Sequence, residues 1–169
     1  KKEEFDQNIS GKFEGIGARL QKKDQVVEIV EVIVGGPVWK AKALEVGDVI
    51  LKVAQKDEDA VEIGPMRLSD AVKLIKGPKG TQVYLTVKRV SGVIEEVIIN
   101  RDVVELEESY AKSSVIQKNE KKYGFIQLPK FYIDFKDQNS RNAASDVKKE
   151  LLALKKRDVS GIILDLRNN

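Results

Sequence analysis

The chain has 169 residues, 41% apolar and 34% charged, with 30 basic against 27 acidic side chains for a formal charge of +3. That is a globular profile rather than a disordered or membrane-embedded one. It contains no cysteine and no histidine, which excludes disulfides, thiolate zinc sites, thiol nucleophiles, Ser-His-Asp triads and His-ligated metals built from these residues. The pI near 8.9 comes from short lysine groups (Lys22-Lys23, Lys121-Lys122, Lys148-Lys149, Lys155-Lys156-Arg157) scattered among acids. They read as solvated faces, not as the basic stripe with stacking aromatics that a nucleic acid needs.

Residues 1–12 are polar and read as the end of a preceding element. Lys1-Lys2-Glu3-Glu4 cannot begin a signal peptide, and no apolar run approaches a membrane span. Phe13 to Ala18 opens a β-rich region, with a short strand at Ala18–Gln21 and a polar turn at Lys22–Gln25. Val26 to Val34 is dense in Val and Ile, the mark of a buried strand. Gly35-Gly36-Pro37 breaks it, and Pro37 suits the first turn of a helix over Val38–Ala43, with Trp39 its partly buried anchor. Val46-Gly47-Asp48 turns into the apolar strand Val49–Val53, and Gln55 to Pro65 is acidic and loop-like. The spacing of Leu68, Ala71, Val72 and Ile75 predicts a helix that Gly77 and Pro78 terminate. Thr81 to Val90 alternates, with Val83, Leu85 and Val87 on one face, and pairs through Ser91-Gly92 with Val93–Ile99 as a hairpin.

After Arg101 the acids around Val103, Val104 and Leu106 predict a connector over residues 102–112. Two strands, Ser114–Gln117 and Tyr123–Leu128, meet at Asn119-Glu120. Arg141 to Lys156 is the strongest helical pattern, with Ser140 as candidate cap and Ala144, Val147, Leu151 and Leu154 at helical spacing. Gly161–Leu166 is a short apolar strand. Such a strand needs both faces covered, and the residues from Ser113 on are too few to cover it, so residues 113–169 are expected to open a second domain. The fold class is therefore α+β: a β-rich domain with two helices over residues 13–101, then the truncated opening of an α/β domain.

The candidate site is Gly15-Ile16-Gly17-Ala18, immediately before a strand. A glycine-rich bend can aim successive backbone N–H groups into one concavity that holds an anion. If the anion is a peptide's terminal carboxylate, the following strand can pair with the incoming chain. The same bend also serves as a plain turn. The spacing is neither a Walker loop nor a dinucleotide fingerprint, and no helix follows.

The order of glycine loop, Gly-Gly-Pro helix, Gly-Asp turn and glycine-terminated helix resembles a PDZ domain. At longer range, four segments are similar to the PDZ part of bacterial tail-specific proteases, also called carboxy-terminal processing peptidases. They are Phe13-Glu14-Gly15-Ile16-Gly17-Ala18-x-Leu20, Gly35-Gly36-Pro37, Val46-Gly47-Asp48-x-Ile50 and Ile75-Lys76-Gly77-Pro78-Lys79-Gly80. Gly124-Phe125-Ile126-x-x-Pro129-x-Phe131-Tyr132 and Ile163-Leu164-Asp165-Leu166-Arg167-x-Asn169 are similar to strands of that family's protease core. The resemblance implies a serine endopeptidase of the periplasm or cell envelope that recognises the C-terminal tails of its substrates, with an export signal upstream. Its serine is activated by a lysine, so no histidine is required and no cofactor or metal is expected.

In that family both catalytic residues lie beyond the Asp-Leu-Arg-x-Asn strand. None is assigned here, Ser140, Lys155 and Ser160 being no substitutes, and this chain by itself is expected not to cleave peptides. The resemblance further implies that Gly15, Ile16, Gly17 and Ala18 cradle the substrate carboxylate and that Leu20 meets its apolar terminal side chain. Leu68 and Val72 face the groove from the helix; core packing accounts equally well for these two. Phe13 and Leu106 stand where the chain enters and leaves the domain and are candidate hinge residues. An envelope lipoprotein is a candidate partner. The alternative is a non-catalytic peptide-binding adaptor on the same fold.

Overall fold

A computed structural model describes residues 12–133, 140–167 and 169. The reading of residues 1–11 lies outside these. The chain divides into two compact units, one of Phe13–Glu105 and one containing Leu106–Asn169.

The first unit is built on a six-stranded antiparallel sheet. Its strands are β2 (Ala18–Lys23), β3 (Val26–Val32), β4 (Val49–Gln55), β5 (Val61–Glu62), β6 (Gln82–Lys88) and β7 (Ile94–Asn100). They run in the order β2-β3-β4-β6-β7, with β5 paired to β4. A separate ribbon joins β1 (Lys12–Gly15) to β8 (Asp102–Glu105). The alternation in β6 resolves as expected, Val83, Leu85 and Val87 being fully buried. With Val27, Ile29, Ile50, Val53 and Ile99 they form the core. Two helices close over it. Helix α1 (Pro37–Ala41) carries Pro37 in its first turn, where the missing N–H costs no hydrogen bond. Helix α2 (Leu68–Ile75) buries Ala71 and Ile75.

Four details of this unit differ from the sequence reading. The acidic stretch 55–65 is not all loop, because Val61-Glu62 pairs with Val53-Lys52. The stretch expected as a connector begins with β8, whose Val104 is buried. Trp39 is half exposed, because the five-residue α1 turns Pro37 and Val38 inward instead. Gly77 does not end α2 through a left-handed turn. Lys76 leaves the helix extended at φ −67°, ψ 160°, and a Cβ on Gly77 would lie 2.9 Å from the Arg101 guanidinium carbon. Glycine is needed there for close approach.

In the second unit β9 (Lys112–Lys118) and β10 (Lys121–Gln127) form a hairpin, and β11 (Gly161–Asp165) lies parallel to β10. The hairpin turns through Asn119 and Glu120, both at positive φ (49° and 63°), the geometry of the turns that suit strand twist. Helix α3 (Ala143–Lys155) is capped by Asn142, not Ser140: Asn142 Oδ1 accepts from the Ser145 N–H at 2.9 Å, and Ser145 Oγ accepts in return from the Asn142 N–H. Its buried face also differs. Ala143, Asp146 and Leu154 are buried, while Ala144 and Leu151 are exposed. Leu154 sits over Gly124, where a Cβ would come within 2.7 Å of its Cδ1.

Asp146 turns inward because it has partners there. Its Oδ2 accepts from the Tyr132 hydroxyl at 2.7 Å and from Arg141 Nε at 2.9 Å. Tyr132 in turn accepts from the Ala111 N–H at 3.2 Å. Arg141 lies 4.0 Å over the Tyr110 ring, which meets the Tyr132 ring edge-on at 4.9 Å. Arg141 also reaches Glu107 in the 3-10 turn Glu107–Ser109. At the end of β11, Asp165 binds Arg167 through two bonds of 2.8 and 2.7 Å, and this holds its carboxyl down at about 2. Asn169 donates to the Leu128 carbonyl at 2.9 Å, so the polar residues of Asp-Leu-Arg-x-Asn fasten the turn that follows the strand.

Candidate peptide-binding groove

Gly15 to Ala18 link β1 to β2, and the hydrogen bonds of this loop fix which way its amides face. The Ile16 carbonyl accepts from the Val38 N–H at 2.9 Å, and the Gly17 carbonyl accepts from the Ile33 N–H, also at 2.9 Å. In a trans peptide plane the N–H opposes the C=O. The N–H groups of Gly17 and Ala18 therefore point away from α1 and β3. The Ile33–Gly17 bond also makes Ala18 and Val32 a non-hydrogen-bonded pair in the β2–β3 register. The Ala18 N–H and C=O are thus directed to the outer side of β2.

Among the described residues that side carries no further strand, since β2 ends the strand order of the sheet and β1 pairs with β8 instead. Gly17 is at φ +79°, and a Cβ there would stand 3.0 Å from Gly36 Cα and 3.2 Å from Pro37 Cδ. The two glycine motifs thus meet back to back, each allowing the other's backbone close. Lys76 closes the flank of the loop, its Cγ 3.6 Å from a Cβ built on Gly15 and its ammonium 4.9 Å above the Phe13 ring.

Helix α2 packs alongside β2. Along β2 the side chains alternate, with Ala18, Leu20 and Lys22 half-buried and Arg19, Gln21 and Lys23 exposed. Ala18, Leu20 and Leu68 all touch the core cluster, so packing is part of what they do. Val72 is half-buried and stands outside that cluster, one helical turn from Leu68 on α2. The seven residues predicted for the site therefore lie together along the loop, β2 and α2. A separate cleft of about 720 Å³ flanks the end of α2, lined by Lys56, Lys73, Lys76 and Arg101 among others; none of those seven borders it.

The sequence reading missed Arg101. Its side chain is buried and donates through all three nitrogens to the Ile75, Leu74 and Gln82 carbonyls and to the Thr81 and Gln55 side chains, at 2.7–3.0 Å. Burial pushes its pKa down. This one residue ties the last turn of α2 to β4 and β6 and so fixes one wall of the groove. Only its position between β7 and β8 marks it in sequence, which carries no sign of burial. Glu14 was likewise unassigned, and it accepts from the Lys79 N–H at 3.0 Å.

The comparisons agree with this architecture. The PDZ domain family matches residues 6–88. The tail-specific protease of Haemophilus influenzae is 34% identical over 166 residues, covering 98% of this chain and 23% of that protein. The carboxy-terminal processing protease CtpA of Bacillus subtilis is 34% identical over 165 residues, covering 98% of this chain and 31% of that protein. This chain therefore spans less than a third of these relatives' length. Among solved structures, the PDZ domain of the carboxy-terminal protease from Vibrio cholerae, crystallised in complex with a peptide, is 42% identical with a TM-score of 0.54. It covers 56% of this chain, and 99% of that domain is matched. On the identity and near-complete coverage of that domain, this chain belongs to the tail-specific, or carboxy-terminal processing, protease family and carries its PDZ domain.

Proposed function

We propose that the Phe13–Glu105 unit captures the C-terminal tails of substrate proteins for a serine endopeptidase. In this reading the N–H groups of the Gly15–Ala18 loop hold the terminal carboxylate. The tail then adds to β2 as a further strand, and its apolar last side chain lodges among Leu20, Leu68 and Val72. The observation that carries the reading is the commitment of the Ile16 and Gly17 carbonyls to Val38 and Ile33, which turns the adjoining amides toward the open edge of β2. Charge-assisted bonds from such amides contribute about 1.5–3 kcal/mol each.

Cleavage itself would fall to a serine and a lysine beyond the Asp165–Asn169 turn, so this chain alone would bind without cutting. The PDZ domain would span residues 13–101, with a connector over 102–112 and the opening of the protease core over 113–169. The setting would be the periplasm or envelope, with an envelope lipoprotein as adaptor. No described helix is long and apolar enough to cross a membrane. Calorimetry with a short peptide ending in Leu-Ala-Ala tests the reading: the free acid should bind and the amide should not. Equal binding of both, or of neither, would remove the carboxylate from Gly15–Ala18.

Phe13 and Leu106 stand at the two points where the chain passes from one compact unit to the other, which supports their role as a hinge through which an occupied groove signals to the protease core. In the full-length enzyme Phe13→Ala and Leu106→Ala should lower peptide-stimulated cleavage while leaving peptide affinity intact. Unchanged stimulation would refute the hinge.

A further inference from the structure

Lys22 occupies a position that no packing requirement explains. It is the one charged residue on the half-buried face of β2, following Ala18 and Leu20. Its ammonium crosses from the strand to donate to the Met66 carbonyl, in the segment that leads into α2. Met66 itself packs on the core, so that carbonyl is a fixed point. The bond thus spans the gap between β2 and α2 at the end opposite the glycine loop. No described carboxylate pairs with Lys22. The nearby cation Arg19 lies on the other face and faces Glu31 at 3.1 Å.

We propose that Lys22 is a specificity residue of the groove, selecting tails that carry an acidic side chain at the fifth position from the C-terminus. The inference rests on the tail-capture reading above. A tail whose carboxylate sits at the start of β2 runs antiparallel to that strand, with its body toward Lys23. In an antiparallel pair, directly opposed residues share a face, and every second residue returns to it. Counting along the strand, the last residue of the tail falls opposite Ala18, the third from last opposite Leu20, and the fifth from last opposite Lys22. A strand laid into this gap occupies the path the Lys22 side chain now spans. The ammonium then exchanges a neutral carbonyl for whatever the tail presents there. An aspartate or glutamate restores a charged partner beside a half-buried cation, glutamine offers a weaker one, and lysine places like charges together.

The test uses this 169-residue chain and three free-acid peptides ending in Leu-Ala-Ala that differ only in Glu, Gln or Lys at the fifth position from the end, with the amidated Glu peptide as control. Dissociation constants should rise from Glu to Gln by roughly fivefold, and from Glu to Lys by roughly tenfold or more, with the difference shrinking as salt is added. Lys22→Gln should level the three peptides, Lys22→Arg should keep the Glu preference, and Lys22→Glu should invert it. Circular dichroism and melting of each variant show that the fold persists. Equal affinity of the wild type for all three free acids, with the amide still rejected, overturns the role of Lys22 alone. A Glu preference that survives Lys22→Gln overturns it too. Loss of discrimination between acid and amide overturns the tail-capture reading instead.

Discussion

The two units hold themselves together by different means. In Phe13–Glu105 fourteen buried apolar residues form one cluster between the sheet and its two helices. In the unit containing Leu106–Asn169 the corresponding cluster has, among the described residues, five members: Tyr110, Ala111, Leu128, Tyr132 and Ala143. Around it runs a polar set of Asp146, Arg141 and Glu107. The consecutive residues Ile162, Ile163 and Leu164 of β11 are 44%, 50% and 49% exposed, so the described residues leave both faces of that strand only partly covered. A run of apolar residues without alternation is the pattern of a strand covered on both sides. The first unit thus spends its apolar residues on its own closure, whereas the second shows a strand whose sequence asks for more cover than the structure gives it.

The largest expected effect sharpens that contrast. Leu85 is fully buried in the first core, and Leu85→Ala should destabilise that unit by about 3 kcal/mol. Leu164→Ala, a deletion of the same atoms from β11, should cost less than about 1 kcal/mol, because half of that side chain is already in water. Native-state hydrogen exchange separates the two, reading β6 amides for the first variant and β10 amides for the second. Equal losses of protection would mean that β11 is held as firmly as the core of the first unit and would break the comparison.

The same difference governs how much could be read from sequence. Local signals predicted well where one element answers to its own neighbours. The alternation of β6 gave its buried face, Pro37 marked the start of α1, and Asn119-Glu120 marked a hairpin turn. The glycine loop and the groove residues are assigned by the resemblance of their motifs, and the structure adds why Gly17 and Gly36 are both glycine: a Cβ on either would crowd the other's Cα at 3.0–3.1 Å. What sequence could not show depends on partners far along the chain. Gly77 reads as a helix terminator, but its true constraint is a guanidinium 24 residues later. The face of α3 reads as Leu151 with Leu154, but the helix is rotated so that Asp146 meets Tyr132 and Arg141. A buried carboxylate cannot be inferred from periodicity, because periodicity counts only apolar residues.

A smaller effect probes the polar set that replaces apolar mass in the second unit. The Tyr132 phenol is pushed up from 10.0 to about 12, first by burial and then by the neighbouring Asp146 carboxylate, while the Ala111 N–H opposes the shift. A phenol that titrates higher in the fold than in the unfolded chain holds its proton more tightly when folded. Its contribution is therefore complete below about pH 10, where both states are protonated, and is lost as the unfolded chain alone ionises between about pH 10 and pH 12. Urea unfolding across this window should reveal a loss on the order of 1 kcal/mol. Tyr132→Phe should abolish that pH dependence while lowering stability at neutral pH, since the Ala111 N–H loses its acceptor and Asp146 one of its donors. If the alkaline slope survives in Tyr132→Phe, another group carries it. The cluster around Asp146 would then be held by the packing of Tyr110 and Tyr132 rather than by the hydrogen bonds of the phenol, and the second unit would resemble the first more closely than its small core implies.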